Sequence, residues 1–142
     1  MASFSEDITT LIESLSNVVI VEPETITFER MNEPFDQITF EWLDKEAFLS
    51  KTTLHSTESE LEKLNESLFE KGLIIKVPSR FNALDTLHVM YVPSERLNIQ
   101  VAIQVESGAS INLFEYIYST AKESLNIVVN ATVEENASLT YT

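Results

Sequence analysis

A segment of seventeen residues recurs in this chain 28 positions further on, and nothing else in the sequence constrains the fold as strongly. Residues 97–113 read LNIQVAIQVESGASINL and residues 125–141 read LNIVVNATVEENASLTY. Eight of the seventeen positions are identical, among them Leu97/Leu125, Ile99/Ile127, Val101/Val129, Val105/Val133, Glu106/Glu134 and Ala109/Ala137. A period of this size marks architectures that stack one supersecondary unit on the next. Within the first copy Leu97, Ile99, Val101, Ile103 and Val105 occupy alternate positions, so they share one face of a strand. Leu125, Ile127, Val129, Ala131 and Val133 repeat that face. Gly108 and Asn136 hold the same place in the two copies, and these residue types tolerate positive φ best. A corner is expected there. After it, Ala109/Ile111/Leu113 and Ala137/Leu139/Tyr141 start a second apolar face.

Two architectures fit such a repeat. In a parallel β-helix each coil lays its strands on the previous coil at about 4.8 Å, and equivalent aliphatics form ladders. In the alternative, antiparallel hairpins merely resemble one another. Two-residue hairpin turns such as Asn-Gly are absent, which favours the coils. A degenerate earlier coil fits as well: a shift of 28 sets Leu73, Ile75 and Val77 against Val101, Ile103 and Val105.

The first 72 residues have a different character. Ile8, Leu11, Ile12 and Leu15 make one face of a helix that Ser5, Glu6 and Asp7 can start and Asn17 can end. Val18 to Val21 reads as a strand, and Ile26/Phe28 and Ile38/Phe40/Trp42 as two more, separated by Asn32-Glu33-Pro34. Thr57-Glu58-Ser59-Glu60 has the form of a capping box. Leu61, Leu64 and Leu68 then form an apolar helical stripe, and Gly72 is placed to be the left-handed residue that ends it. The chain is thus expected to be mainly β with N-terminal α elements: an α/β subdomain over 1–72 and the opening coils of a β-helix over 73–142, in one compact unit.

Charge excludes some partners. The chain carries 23 acidic and 9 basic residues, a net charge of −14. Residues 1–71 hold 16 acids against 5 bases, so the excess is concentrated in the N-terminal half. Nucleic acid and anionic membrane surfaces would repel such a chain. With no cysteine there is no disulfide, thiolate ligand or cysteine nucleophile. Residues 1–7 show no basic stretch leading into an apolar one, and the longest aliphatic run is Val18 to Val21, so a cytoplasmic location is expected. The sequons at Asn65, Asn130 and Asn136 then read as chance matches.

Candidate chemistry is sparse. His55 and His88 are the only histidines, too few for a metal site that needs three or more convergent ligands. His88 reads as a surface or edge residue of a strand. Glu106 and Glu134 recur in the two copies, either as a stacked carboxylate pair or, the favoured reading, as solvent-facing residues beside the corner. Glu58, Glu60, Glu62, Glu66 and Glu70 read as a solvated helix face. Tyr116 and Tyr118, placed in the loop between copies, read as packing residues. No phosphate loop, catalytic triad or nucleotide motif is present, and no cofactor, metal or enzymatic activity is expected.

Four segments in order resemble the SufB/SufD family of iron–sulfur cluster assembly scaffolds. Leu64 to Pro78 is similar to the family's leucine–asparagine helix running into "GLxIxVP", and Leu87-His88-Val89-Met90-Tyr91 to its next strand. Val105 to Tyr116 resembles "xEEGASLTLIEEY", and Val133 to Leu139 resembles "VGENAxLxY". The likeness covers about residues 60–142. It implies a short right-handed parallel β-helix acting as a non-catalytic scaffold or accessory protein of iron–sulfur assembly. Departures are Ser79-Arg80-Phe81 where the family has a glycine after Val-Pro, and Thr86 where it commonly has proline. Family members are also several times longer. Their cluster-building residues and the region that docks the partner ATPase, SufC, have no counterpart among these positions. A coil that ends at Asn136 to Thr142 would leave unpaired backbone groups, so Asn136, Leu139 and Tyr141 are the expected interaction edge. Self-association there is expected, with SufB-, SufD- or SufC-like components as further partners. The alternatives are a β-helix binding or regulatory module outside iron–sulfur assembly, or a remnant with no independent role.

Overall fold

The computed structural model describes residues 6–52, 59–92, 97–118 and 125–142. A first helix, α1 (Glu6–Ser14), leads to strands β1 (Val18–Val21), β2 (Ile26–Glu29) and β3 (Thr39–Asp44). Two helices follow, α2 (Lys45–Lys51) and α3 (Glu60–Leu68). Six strands complete the order: β4 (Lys71–Val77), β5 (Asn82–Tyr91), β6 (Leu97–Val105), β7 (Ser110–Ile117), β8 (Leu125–Val133) and β9 (Ser138–Tyr141). The fold is mainly β, with two mixed sheets ordered β2-β1-β5-β7-β9 and β3-β4-β6-β8.

The 28-residue repeat is present in the strand register. β6 and β8 pair in parallel from Leu97 against Leu125 to Val105 against Val133, and β7 pairs β9 from Ser110 against Ser138. β4 lies parallel to β6 with Leu73, Ile75 and Val77 opposite Val101, Ile103 and Val105, as the degenerate first copy requires. Among the described residues, antiparallel pairing occurs only before β5, between β1 and β2 and between β3 and β4. From β4 onward the chain alternates between the two sheets. The segments 1–72 and 73–142 share both, because β1 pairs β5 and β3 pairs β4.

The corners repeat too. Arg80, Gly108 and Asn136, each 28 apart, have φ of 64°, 73° and 58°. Each follows the same turn, in which the amides of Phe81, Ala109 and Ala137 donate to the carbonyls of Pro78, Glu106 and Glu134, all at 3.1 Å. Arg80 therefore adopts the left-handed conformation where the resembled family has a glycine close by. One irregularity interrupts the register: Asn82 faces Ser110, but Thr86 faces Asn112, so β5 bulges by two residues. Leu84 in this bulge is 96% exposed, and its carbonyl accepts from Asn112 Nδ2.

The main core lies where the sheets face each other. Leu73, Ile75, Val77, Ile99, Val101, Ile103 and Val105 from one sheet meet Leu87, Val89, Ala109, Ile111 and Leu113 from the other. Full burial of such a side chain stabilises by about 1.5–3 kcal/mol. α1 covers the outer face of one sheet, with Ile12 against Val18, Ile20, Met90 and Val92. On the other sheet a smaller cluster unites Phe48 of α2, Phe69 after α3, and Ile74.

Three expectations for the helices need correction. The side chain capping α3 is that of Ser59, which accepts from the Glu62 amide; Thr57 lies outside the described residues. Gly72 does not terminate the helix. Phe69 takes the cap position with extended backbone, and Gly72 is the second residue of β4. A side chain at 72 would occupy the space of the Phe48 ring, so close approach rather than positive φ requires glycine. Finally, Leu64 and Leu68 are exposed, whereas Asn65 between them is fully buried. The helix packs through a polar side chain because the surface below it is polar.

Candidate functional site

That polar surface is made by Gln100 and Asn126. Asn65 Oδ1 accepts from Gln100 Nε2 at 2.7 Å, and Asn65 Nδ2 donates to the carbonyls of Ile99 and Asn126 and to Asn126 Oδ1, at 2.9–3.1 Å. Gln100 is 1% exposed and lies on the face of β6 opposite the apolar series. A satisfied amide network in a dry site is directional, so it sets where α3 sits across β6 and β8. It also places Asn65 out of reach as a glycosylation acceptor. The sequence showed only a sequon and an asparagine between leucines. The usable signal was Gln100, paired in register with Val128 rather than with another amide.

The repeated glutamates stand beside the corners, and they do not pair with each other. Ser79 Oγ donates to Glu106 Oε2 at 3.3 Å, and Ser107 Oγ donates to Glu134 Oε2 at 3.1 Å, the same contact made in two successive repeats. Lys76 Nζ lies 3.4 Å from the other Glu106 oxygen. These are exposed contacts worth little individually.

His88 requires a correction as well. It lies on β5, an inner strand between β1 and β7, and is half-buried rather than at an edge. Its Nδ1 is 2.9 Å from the Tyr116 hydroxyl. Tyr116 belongs to β7, not to a loop, and packs with Tyr118 against the α1-side cluster. Burial lowers the His88 pKa from its usual value. The unfolded chain therefore takes up a proton at higher pH than the folded one, and stability falls as pH drops below about 6.5. Urea midpoints at pH 7.5 and 5.5 check this: the wild type should lose more than His88→Gln over that interval, and equal losses would refute it. His55 lies outside the described residues.

The interaction-edge residues occupy the last repeat. Asn136 is an exposed corner, Leu139 is half-buried against the core, and Tyr141 is 48% exposed. In the preceding repeat the equivalent inward positions are closed. Val105 is 1% exposed and Leu113 2%, against 43% for Val133 and 48% for Tyr141.

At this end lies a pocket of about 270 Å³ that the sequence reading missed. Tyr91, Glu115 and Tyr141 line it with Ile117, Ile127 and Val129. Glu115 continues the alternation of Ile111 and Leu113, which places an acid on the core-facing side of β7. Both its carboxylate oxygens, and the Tyr91 hydroxyl, are buried with no hydrogen-bond partner among the described residues. Burial raises the Tyr91 phenol well above its usual pKa, and the charge of Glu115 raises it further. Tyr141 is raised by burial and by its closeness to Glu115. Both phenols thus feel the carboxylate strongly, although neither completes a hydrogen bond of ordinary geometry with it. The signal was available: extending the apolar series by one step reaches Glu115.

Fold and site define a mainly β protein with two mixed sheets, a repeated parallel register and one incompletely covered end. Comparisons with protein-family models, with curated proteins and with solved structures find no match for this chain. Among the described residues no helix is long and apolar enough to cross a membrane, and no group of three or more histidine, cysteine or acidic side chains is placed to hold a metal ion.

Proposed function

We propose that this chain is a non-catalytic scaffold, a short right-handed parallel β-helix of the SufB/SufD kind that works by assembly at its uncovered end. Support for the β-helix comes from the register of 28 carried through both sheets, from the alternation of the chain between them, and from the three equivalent left-handed corners. The observation that carries the assembly reading is the contrast between the last two repeats. Ile99 and Val101 are fully buried, whereas Ile127 and Val129 above them are only half-buried. Another layer of strands would close them and would pair the outer edges of β8 and β9, to which no strand pairs among the described residues. We assign that layer to a second copy of the chain.

Concentration-dependent sedimentation tests the proposal. The wild type should self-associate, and Val133→Lys should abolish association while leaving the circular dichroism spectrum unchanged. A strict monomer at high concentration would refute assembly through this end. The iron–sulfur role rests on the sequence resemblance, and copurification with a SufC-type ATPase tests it separately. Assembly without that ATPase would favour the second reading, a β-helix binding or regulatory module outside iron–sulfur biology.

A further inference from the structure

The pocket formed by Tyr91, Glu115 and Tyr141 shares Ile127, Val129 and Tyr141 with the uncovered end, so what it binds is best asked of the dilute protein, apart from assembly. We infer that it is a receptor for a cationic nitrogen group, an alkylammonium or alkylguanidinium, held by the Glu115 carboxylate between two neutral phenols.

The argument starts from cost. A carboxylate whose two oxygens are both buried with no hydrogen bond of ordinary geometry forfeits solvation that the two nearby phenols return only in part. Tyr91, 1% exposed, carries a third polar atom without an ordinary hydrogen bond into the same space. Two unmet acceptors and an unmet hydroxyl facing one cavity are together what a nitrogen cation with several N–H donors satisfies. The phenols strengthen the preference. Their raised pKa values keep them uncharged, so each can accept a hydrogen bond or offer a ring face to a cation.

The remaining walls select the class of cation. Ile117, Ile127 and Val129 are aliphatic, so the pocket is polar at one end and apolar along its side. A multivalent metal ion would meet a single carboxylate and three hydrocarbon surfaces, which is a poor donor set. A short alkyl chain ending in ammonium or guanidinium matches both parts, with its stem on the aliphatics and its head on Glu115. The volume of about 270 Å³ accommodates such a group. The group can belong to a free small molecule or to a lysine or arginine side chain presented by another strand.

Titration with propylguanidinium and propylammonium chloride, followed by ¹⁵N amide shifts at constant ionic strength, tests the inference. Both probes should shift the amides of Glu115, Ile117 and Tyr141, and potassium at equal concentration should not. Glu115→Gln should weaken binding by about tenfold or more, the loss of one desolvated charge pair. Tyr141→Phe, at a half-exposed position that leaves the fold intact, should weaken it by a smaller factor. A third probe separates the sources. If the peptide acetyl-Thr-Val-Arg-Val-Thr-amide binds at least tenfold more tightly than propylguanidinium, the group comes from a partner's strand; equal affinities assign it to a free small molecule. Absence of shifts with all three probes, or equal binding by wild type and Glu115→Gln, would overturn the inference. Sedimentation of wild type and Glu115→Gln, with and without probe, reads self-association separately. Loss of assembly with probe binding intact overturns the assembly reading alone, and loss of probe binding with assembly intact overturns this inference alone.

Discussion

Replacing Asn65 with alanine is expected to destabilise the protein by about 3 kcal/mol or more, because each buried polar group left unpaired costs about 1–3 kcal/mol. The substitution removes a donor to Ile99 O, Asn126 O and Asn126 Oδ1, and the acceptor of the Gln100 amide. Gln100 would remain buried with no partner for its Nε2 from α3. The effect should show as a lower urea midpoint with an unchanged slope. A double-mutant cycle with Gln100→Leu sharpens the test. If the cost comes from orphaned partners, the second substitution recovers part of the stability lost in the first. If Asn65→Ala costs no more than an exposed helix substitution, below about 0.5 kcal/mol, the network does not anchor α3.

The second large effect is expected at Gly72. A β-carbon there would overlap the ring of Phe48, which is 2% exposed and packs edge-on against Phe69 at 5.8 Å between centroids. Neither ring can yield without opening the cluster with Ile74 that holds α2 to the sheet. Gly72→Ala should therefore cost about 1–3 kcal/mol, the usual price of overpacking, although alanine suits a strand better than glycine. Phe48→Leu introduced alongside it should relieve the clash, so the double variant should be more stable than the two single effects predict. Strict additivity would mean that glycine is tolerated at 72 for another reason.

These two positions show where sequence reading stopped. Leu64 and Leu68 have the spacing of a buried stripe, and Asn65 has the chemistry of a surface residue. Helical periodicity identifies which residues share a face, but not which face meets the sheet. That depends on Gln100 and Asn126, 35 and 61 residues away in sequence. At Gly72 the signals for a helix end were genuine in kind, since glycine often ends a helix. The ring that excludes a side chain there comes from α2, 24 residues earlier, and no local pattern reports it. The placement of His88 is hidden from its local sequence for a similar reason. Its strand was legible, but its neighbours β1 and β7 come from distant parts of the chain.

Within the repeat the balance is reversed. The identities at a spacing of 28 sufficed to align Leu97 with Leu125 and Leu73 with Val101, and both pairs are register partners. Gly108 and Asn136 marked corners that do adopt positive φ; Arg80, the third, escaped notice because arginine does not advertise that conformation. A repeat encodes its own long-range contacts, since each copy's neighbour is another copy of itself. The sequence alone therefore determined the strands, their parallel register and two of the three corners. Only the tertiary structure decided that Asn65 is buried and its neighbouring leucines are not, that Gly72 faces an aromatic ring, and that Glu115 sits desolvated between two tyrosines. Burial is set by what arrives from elsewhere in the chain, and outside the repeat nothing in a residue's own neighbourhood specifies the partner that will cover it.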